Sequence, residues 1–373
     1  MVYSSRGVYA RMEIEEYLSQ KERRLEKGIK RIKDHSVFDF NFIPEKPLMR
    51  EEVKPIVDAL LRYQKTGIPN NFLVVGSRGS GKTLVLRYLM NLLGMKNNMR
   101  FVYANCRSHN TSFKILAHLL GAKPRGCSLS EMWRRFQDSH PDKCVLVLDE
   151  VDLLSDKDKN KDILYLASRS TENYMTALLS NNPRFLGMLD DSIRSSLQPE
   201  VVFFRNYTAP QIKKILEDRA RSGLGRASNE RNSRIAALVA KNTNSDVRVA
   251  IKTLYYCALE TGTTLNANFE RARRDILADV INDLNDKNLM ILMAVIQDSE
   301  KYAKSVYETY KRLSRRMREE PFSYVYFYSN LSYLQSLGLI LLVSTKVQRT
   351  YANRIHLNFE NEVLQAIWEG RFG

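Results

Sequence analysis

The stretch FLVVGSRGSGKT, residues 72–83, decides which fold this chain can adopt. Its first four residues form a short apolar run, typical of a strand that is buried on both faces of a parallel sheet. The remainder, from Gly76 to Thr83, follows the pattern G-x-x-x-x-G-K-[ST], and an apolar helical segment continues from Leu84. Glycines let backbone amides approach a phosphate closely, and a helix N-terminus adds partial positive charge. The stretch therefore predicts a phosphate-binding loop between a strand and a helix.

Individual positions of this loop carry separate parts of that chemistry. The amine of Lys82 is placed to reach the β- and γ-phosphates of a nucleotide, and the hydroxyl of Thr83 to hold Mg²⁺. An ordinary glycine-rich turn is the alternative, and the strand–turn–helix context argues against it. The positions expected to contact the nucleotide are Gly79, Ser80, Gly81, Lys82, Thr83 and Leu84.

A second predicted strand ends in two carboxylates. The apolar run 144–148 is followed by Asp149 and Glu150. After a phosphate-binding loop, the first acid of such a pair orients Mg²⁺, and the second polarises the water that attacks the γ-phosphate. Alone, an acidic strand end could equally be a surface turn. Because ligands of open α/β sheets bind at the carboxyl ends of strands, we expect this pair to complete the site of Lys82.

The order of predicted elements divides the chain into four parts. Strands that alternate with helices indicate an α/β fold with a parallel sheet, and the later parts are mainly helical. The first part, 1–37, contains a charged, solvated helix over 11–33, and the second, 38–208, is an α/β domain with strands at 72–75, 101–105, 144–148, 174–180 and 201–204. The third part is a helical domain over 209–284. In the last domain, 285–373, helices precede two strands at 339–343 and 354–359, and a final helix follows.

The charge balance limits the partners of the chain. Among 373 residues, 58 are Lys or Arg and 42 are Asp or Glu, so the formal net charge is +16. A folded protein this basic usually binds a polyanion, which can be nucleic acid, an anionic membrane surface or an acidic protein, although the charge could also serve solubility alone. The sequence contains neither an apolar run long enough to span a membrane nor a secretory signal. We therefore expect a cytoplasmic protein.

Short motifs in a fixed order add a family resemblance. They are Phe42-Ile43-Pro44, Asn105-Cys106-Arg107, Ser180-Asn181, Ser195-Ser196-Leu197, Tyr207-Thr208 and Ser245-Asp246-Val247-Arg248. Together with the loop and the acidic strand end, this set resembles the AAA+ ATPases. More narrowly, it resembles the archaeal replication initiators, relatives of the eukaryotic origin recognition complex and its helicase-loading partner. The resemblance covers residues 38–360.

The resemblance implies a fold and a set of roles. The fold would be an AAA+ α/β core of the P-loop type, an α-helical lid and a C-terminal winged-helix domain. Asn181 would act near the γ-phosphate as sensor 1, and Arg248 would reach it from the lid as sensor 2. The ligands would be ATP or ADP with Mg²⁺, the metal ion being held by Thr83 and Asp149 through the nucleotide. The implied catalytic set is Lys82, Asp149, Glu150, Asn181 and Arg248, and the further nucleotide-lining residues are Ile43, Pro44, Tyr207 and Arg219.

One departure from the family concerns hydrolysis. Relatives usually carry an arginine near position 192 that acts on a neighbouring subunit, whereas this chain has Ser192, and Arg194 is one possible substitute. The sequence therefore predicts ATP binding with slow hydrolysis and leaves activation by a neighbouring subunit open.

The basic residues of the C-terminal part suit nucleic acid. Residues 301–373 contain 11 Lys and Arg against 6 Asp and Glu. A helix–turn–helix would place its second helix in the major groove, and a wing of two strands would contact phosphates or the minor groove, although the same shape could bind protein. The candidates here are Arg315, Arg316, Tyr324, Tyr326, Lys346, Arg349 and Arg354, and the resemblance adds Lys123 and Arg125 in a loop that contacts DNA in the family.

These observations predict an ATP-dependent protein that binds double-stranded DNA at origin repeats and helps to load the replicative helicase. A paralogous initiator subunit would be a further partner, no membrane would be involved, and the protein would associate with the nucleoid. Two alternatives stay open on sequence alone. One is a regulatory or signalling ATPase whose winged helix binds protein, and the other is an accessory paralogue that regulates initiation.

Overall fold

The computed structural model of the chain describes residues 14–97, 99–121, 126–140, 142–155, 158, 161–170, 174–260, 262–347 and 350–373. It contains a parallel α/β region, a helical region and a C-terminal region of helices with one β-hairpin. The predicted α/β fold with helical parts after it is confirmed. Within the described residues, no helix is both long and apolar enough to cross a membrane.

A five-stranded parallel sheet with the order β2-β3-β4-β1-β5 forms the centre of the first region. Within it, β4 pairs with both β1 and β3, in registers that place Val74 beside Leu179 and Val147 beside Ala177. The carboxyl ends of β1, β4 and β3 therefore lie side by side, which brings the phosphate-binding loop close to the acidic strand end. The strands are β1 (Phe72–Gly76), β2 (Arg100–Asn105), β3 (Cys144–Asp149), β4 (Met175–Ser180) and β5 (Glu200–Phe204).

Helices cover both faces of the sheet, which explains why its strands are continuous apolar runs. In β1, Phe72 and Val74 belong to the core on one face, and Leu73 and Val75 to the core on the other. The helices of the first half are α1 (Ile14–Ile29), α2 (Val53–Thr66), α3 (Lys82–Asn97), α4 (Ser112–Leu119), α5 (Leu129–Ser139), α6 (Asp162–Ser168) and α7 (Asp191–Leu197). Of these, α2 and α3 pack on the first face and α4 to α7 on the second.

Two helices of this region have no counterpart among the sequence-based expectations. Helices α6 and α7 contain seven residues each. Seven residues make about two turns, which is too short for a 3.6-residue apolar period to stand out.

The helical region consists of α8 (Ala209–Leu224), α9 (Asn229–Asn242), α10 (Val247–Leu259) and α11 (Leu265–Asn282). Thr208 and Gln211 form a capping box at the start of α8, with a proline in its first turn, so the sequence sets where this helix begins. The sequence pattern does not predict α11. Its buried face includes Asn268 and Ala272 beside larger apolar residues, and this weakens the contrast between its two sides.

The sequence suggested a separate solvated helix at the N-terminus. In the structure, this segment is part of the helical region. Its helix spans Ile14–Ile29 within the described residues, and α1 packs on α10. Gly28 lies so close to α10 that a Cβ there would be 2.0 Å from the carbonyl oxygen of Leu259. Ile32, Val37 and Phe38 then join the hydrophobic core of α8 to α11.

The C-terminal region has its own core and begins directly after α11. Its elements are α12 (Asp286–Gln297), α13 (Ala303–Arg316), α14 (Tyr324–Ser336), β6 (Ile340–Val347), β7 (Thr350–Leu357) and α15 (Asn361–Phe372). β6 and β7 form an antiparallel hairpin that extends from Ile340 beside Leu357 to Val347 beside Thr350. Both strands extend nearer to the turn than the sequence predicted, because most of the added residues are polar and they lack the apolar pattern of a buried strand.

Replacing Gly28 by Ala is expected to destabilise the protein, because the added methyl group would overlap the Leu259 carbonyl and push α1 away from α10. Gly94→Ala in α3 is the matched control, since the nearest atom outside the neighbouring backbone of its own helix would be 3.7 Å from the added Cβ. The better helix propensity of Ala should raise the free energy of unfolding of that control by about 0.5–1 kcal/mol. Chemical denaturation measures both changes, and a Gly28→Ala protein as stable as the wild type would contradict the close helix contact.

Candidate functional site

Three strand ends meet around the amine of Lys82. This side chain is buried, and its Nζ donates to the carbonyl oxygens of Gly76 (2.7 Å) and Ser77 (2.9 Å) and to Oδ1 of Asn181 (2.9 Å). Burial lowers the pKa of Lys82 to about 8, although nearby carboxylates such as that of Asp149 act in the opposite direction. Asn181 directly follows β4, so it reaches the loop because β4 pairs with β1.

Two glycines of the loop are required by backbone conformation and also by close neighbours. Gly79 and Gly81 have φ values of +75° and +91°, a region that residues with a Cβ seldom adopt. A Cβ on Gly79 would be 2.0 Å from Oδ1 of Asp246, and one on Gly81 would be 2.2 Å from the hydroxyl of Tyr207. The helical region and the segment before α8 therefore touch the loop directly.

Asp149 lies against Thr83 and supplies oxygens suited to a divalent cation. Its Oδ2 accepts hydrogen bonds from Oγ1 of Thr83 and from the hydroxyl of Tyr103, each at 2.9 Å. Burial raises the pKa of Asp149, and the hydrogen bonds from Tyr103 and Thr83 partly oppose this. A carboxylate and a hydroxyl are oxygen donors of the type that Mg²⁺ prefers, so these two residues could hold it beside a bound nucleotide.

Glu150 is held by Arg107 in a two-point ion pair. Nε and Nη2 of Arg107 donate to Oε2 and Oε1 of Glu150 at 2.8 Å each. Burial would raise the pKa of Glu150, but the hydrogen bonds and charge of Arg107 outweigh it and keep the pKa below its ordinary value. The backbone φ of Glu150 is +54°, which is uncommon outside glycine and marks a sharp turn directly after β3.

Asp283 extends this ion pair to the start of the C-terminal region. It lies between α11 and α12 and forms an ion pair with Arg107. Its Oδ2 also lies 3.2 Å from Nη1 of Arg78, a loop residue whose side chain is only 7% exposed. The charges of Glu150, Arg107, Asp283 and Arg78 thus connect the acidic strand end, the loop and the junction with the C-terminal region.

Arg248 lies close to the loop, but its guanidinium forms an ion pair with Asp246. Nη2 of Arg248 is 2.6 Å from Oδ2 of Asp246, and its Nε donates to Oδ1 at 3.0 Å. Because Asp246 is also the side chain nearest to Gly79, this ion pair rests on the loop. The geometry thus places the expected sensor-2 residue at the loop, where its guanidinium is already paired with a carboxylate.

A cavity of about 660 Å³ opens beside Gly81, and it contains the residues expected around the base of a nucleotide. Ile43 and Pro44 form part of one wall, and Leu84 and Tyr207 contribute to the rest. A cavity of this size with a mostly apolar lining and a few polar groups suits a nucleoside.

Arg219 also borders this cavity, but its hydrogen bonds go to the cavity wall. Its guanidinium donates to the carbonyl oxygens of Val37, Asp39 (3.5 Å) and Phe42 (3.2 Å). It also stacks over the ring of Phe42, at 4.6 Å from the centroid. Arg219 therefore holds the segment that lines the cavity, which is a less direct role than the one expected from the sequence.

Arg50 is a second buried arginine at this site. The family motifs place it in the segment expected near the adenine, but the sequence did not count it among the nucleotide-lining residues. Its Nη1 donates to the carbonyl oxygen of Ser80 at 2.8 Å, and its Nη2 to that of Arg205 at 2.6 Å. Its guanidinium also lies 4.5 Å from the ring centroid of Tyr207. Arg50 therefore links the loop to the chain that follows β5.

The candidate DNA contacts of the C-terminal region are distributed over one helix end, one aromatic cluster and the hairpin. Arg315 and Arg316 are exposed at the end of α13. Lys346 on β6 and Arg354 on β7 are also exposed. Lys123, Arg125 and Arg349 lie outside the described residues.

The two tyrosines proposed for DNA contact are also part of the packing of α14. Tyr324 is 43% exposed and stacks edge-on against Tyr307, with ring centroids 5.1 Å apart. Tyr326 is half-buried and stacks edge-on against Phe322 at 4.6 Å. Tyr324 thus has more surface available to a ligand than Tyr326.

Arg107 and Asp283 are functional candidates that sequence reasoning left without roles. Arg107 follows β2 by two residues, and the register of β2 with β3 places Asn105 beside Asp149. That pairing brings Arg107 to Glu150, but the signal exists only once the strand order is known. Asp283 has no local signal, because its partners lie far away in the sequence.

The loop, the acidic strand end and the parallel sheet together define a nucleotide-binding protein of the AAA+ class. Residues 69–189 match the AAA domain family. This match contains β1, the phosphate-binding loop, Asp149, Glu150 and Asn181.

Sequence relatives narrow this class. The chain is 28% identical over 331 residues to ORC1-type DNA replication protein 1 of Sulfurisphaera tokodaii, covering 80% of this chain and 83% of that protein. It is 26% identical over 372 residues to ORC1-type DNA replication protein 1 of Methanothermobacter thermautotrophicus, covering 90% and 96%. The chain is therefore similar over most of its length to archaeal ORC1-type DNA replication proteins, the group that its motifs resemble.

Solved structures agree with this fold. The Aeropyrum pernix ORC1 protein, determined in complex with DNA, superposes with a TM-score of 0.65 at 22% identity, covering 91% of this chain and 97% of that chain. Cdc6p of Pyrobaculum aerophilum gives a TM-score of 0.56 at 24% identity, covering 92% and 100%.

Nucleotide binding is expected to be accompanied by proton uptake at Lys82. With a pKa of about 8, much of the amine is neutral at pH 8.5, and a bound phosphate favours its charged form. Titration calorimetry with ADP in two buffers of different ionisation enthalpy measures this uptake. We expect it to be larger at pH 8.5 than at pH 7, and affinity to fall by up to about tenfold per pH unit above the pKa.

Two variants serve as controls for this experiment. Lys82→Ala should abolish nucleotide binding, whereas Lys65→Ala, at an exposed position in α2, should leave both affinity and proton uptake unchanged. Tight binding to the wild type without proton uptake at pH 8.5 would contradict the assignment of Lys82.

Proposed function

We propose that this chain is an ATP-dependent, origin-binding replication initiator that holds double-stranded DNA through its C-terminal region. The names of its relatives, ORC1-type DNA replication proteins, support the process, and one related structure is that of an ORC1 protein in complex with DNA. These relatives do not favour a signalling ATPase. The observation that carries the proposed dependence of DNA binding on ATP is the position of Asp283. This residue contacts Arg78 and Arg107, beside the nucleotide site, where the C-terminal region begins.

The proposed nucleotide is ATP or ADP with Mg²⁺; both would supply phosphates to the loop, and ATP alone would supply the transferable γ-phosphoryl group. The buried amine of Lys82 would exchange its bonds to loop carbonyls for bonds to phosphate oxygens. Asn181 would keep contact with the same amine and sense the γ-phosphate. Arg248 would do so from the lid after release from Asp246, so that nucleotide occupancy alters the contact between the lid and the core.

Hydrolysis is proposed to be slow because Arg107 holds the carboxylate of Glu150. A carboxylate in a two-point ion pair, with its pKa below the ordinary value, is a weak base for a water proton. Glu150 would therefore act on water only after this ion pair opens. A nucleotide that is hydrolysed slowly suits a switch, since the ATP-bound state then persists.

The DNA contacts are proposed to follow the arrangement of a winged helix. Arg315 and Arg316 would contact backbone phosphates, and Lys346 and Arg354 would do so from the hairpin, while Tyr324 would face the groove. Lys123, Arg125, Tyr326 and Arg349 remain further candidates. Origin repeats are the proposed target, with a paralogous initiator subunit and the replicative helicase as partners at the nucleoid.

Arg315→Ala combined with Arg316→Ala is expected to weaken binding to duplex DNA. Each lost phosphate contact should reduce the slope of log affinity against log salt concentration by up to about 0.9. Fluorescence anisotropy with a mixed-sequence duplex at several salt concentrations measures this slope. Arg135→Ala combined with Arg234→Ala removes the same charge from exposed, ion-paired positions and should leave the slope unchanged. An unchanged slope in the first double variant would contradict DNA binding at the end of α13.

Asp283→Asn is expected to uncouple nucleotide from DNA, because the amide keeps the shape of the side chain but removes its ion pairs with Arg107 and Arg78. Couplings between sites typically change affinity about 5- to 150-fold. We expect duplex DNA to change the ATP affinity of the wild type within that range and to change that of the variant much less. Calorimetry with and without duplex measures the ratio.

Asp286→Asn is the matched control for this variant. Asp286 lies three residues further along the same junction, and its carboxylate is 2.8 Å from Arg371 of α15. It should keep the wild-type coupling. Equal coupling in the wild type and Asp283→Asn, or equal loss in both variants, would argue against a role for Asp283.

A further inference from the structure

The helical region contains a second cationic cavity, distinct from the nucleotide site. It has a volume of about 800 Å³, and three separate segments converge on it. Three of its eight lining residues are arginines, and no acidic residue is among them. The lining residues are Arg31, Leu224, Arg226, Ala227, Ser228, Arg231, Cys257 and Ala258.

The positive charges around this cavity are not neutralised by the protein. Within the described part of the chain, Arg31, Arg226 and Arg231 form no ion pair. The Nε of Arg231 is shielded from solvent and has no hydrogen-bond partner there. Burial lowers the pKa of Arg231, and the nearby charge of Arg226 acts in the same direction. Like charges are thus brought together at an energetic cost that a bound anion would offset.

The neighbouring groups increase the positive potential and add hydrogen-bond donors. Ser228 caps the N-terminus of α9, whose first backbone amides carry partial positive charge. Cys257 offers no competing anion, because burial raises the pKa of its thiol. The side chain of Lys33 lies against Gly225, next to Arg226 in the sequence.

The nucleotide cannot account for this cluster. Helix α10 begins at the phosphate-binding loop, near Arg248, and ends at the cavity with Ala258. Ten residues of α-helix separate these two positions by about 15 Å. The junction with the C-terminal region lies at the loop end of this helix, where Asp283 contacts Arg78. The arginines therefore lie at the opposite end of α10 from the nucleotide site and from the start of the C-terminal region.

We propose that Arg31, Arg226 and Arg231 form a phosphate-binding site on the helical region that holds a DNA backbone phosphate outside the contact area of the C-terminal region. This inference rests on the DNA binding proposed above. Guanidinium groups match phosphate oxygens with two parallel hydrogen bonds, and a helix N-terminus also favours anions. The cavity offers mainly donors, which suits a phosphodiester, whereas an extended acidic peptide would also need acceptors for its backbone amides.

The test uses two mixed-sequence duplexes, one of about 12 and one of about 36 base pairs, which are roughly one and more than three helical turns. The short duplex can be held by the C-terminal region alone, and the long one can also reach the second cavity. Arg31→Ala combined with Arg226→Ala is expected to weaken binding of the long duplex by roughly five- to tenfold and to reduce its salt slope by up to about 1.8. Binding of the short duplex should hardly change.

The design separates this proposal from the one on which it rests. Arg31 and Arg226 are exposed, so replacing them should leave the fold intact, and denaturation curves check this. Arg234→Ala is the control, because Arg234 is exposed on the same helix as Arg231 and is 4.0 Å from Glu230. Arg315→Ala with Arg316→Ala should weaken both duplexes, whereas the cavity variant should weaken only the long one.

Three outcomes would overturn the proposal. The first is wild-type affinity and salt slope for the long duplex in the cavity variant, and the second is an equal loss for both duplexes. The third compares inorganic phosphate with chloride at equal ionic strength, with saturating ADP present. In this outcome phosphate stabilises the wild type more than the cavity variant, while the two proteins bind the long duplex with the same affinity. That result would identify a site for free phosphate only.

Discussion

A lysine amine buried at the ends of parallel strands is the interaction on which the rest of this structure depends. Removing the charge of Lys82 from water is unfavourable, and the protein offsets this with three oxygen acceptors and nearby carboxylates. This requires β1 and β4 to be neighbours and the glycine loop to curl tightly. It also leaves a positive group whose present partners are weaker than a phosphate. The site is therefore organised before a nucleotide binds, at the place where the sheet must already be correct.

The second constraint is electrostatic and connects regions that are distant in sequence. Glu150 and Asp283 are both acids, and Arg107 lies between them as a shared counter-charge. Arg78, a residue of the loop, forms a further ion pair with Asp283. Partly buried charges in a medium of low dielectric interact more strongly than exposed ones. A shift of the C-terminal region would therefore change the electrostatic potential at Glu150. The same contacts place the start of that region directly beside the nucleotide site.

The elements with strong local signals could be predicted from the sequence. The apolar strands, the glycine loop and the cap at Thr208 each contain their own physical cause within about ten residues. Helices α6 and α7 are too short for such a signal, and α11 has a weakly apolar buried face. The charged α1 resembles a solvated helix, yet Gly28 lets it pack closely on α10. Its polar sequence does not reveal that contact.

The sequence by itself predicted the side chains of the candidate site, because Lys82 and Thr83 lie in a strand–loop–helix pattern and Asp149 and Glu150 come at the end of a second apolar strand. It also determined the excess of positive charge. Only the tertiary structure decided which charges meet. The strand order brings Arg107 to Glu150, the junction brings Asp283 to both Arg107 and Arg78, and three segments collect arginines around a second cavity. Ion pairs act over a few ångströms in space, and distance along the chain carries no information about them.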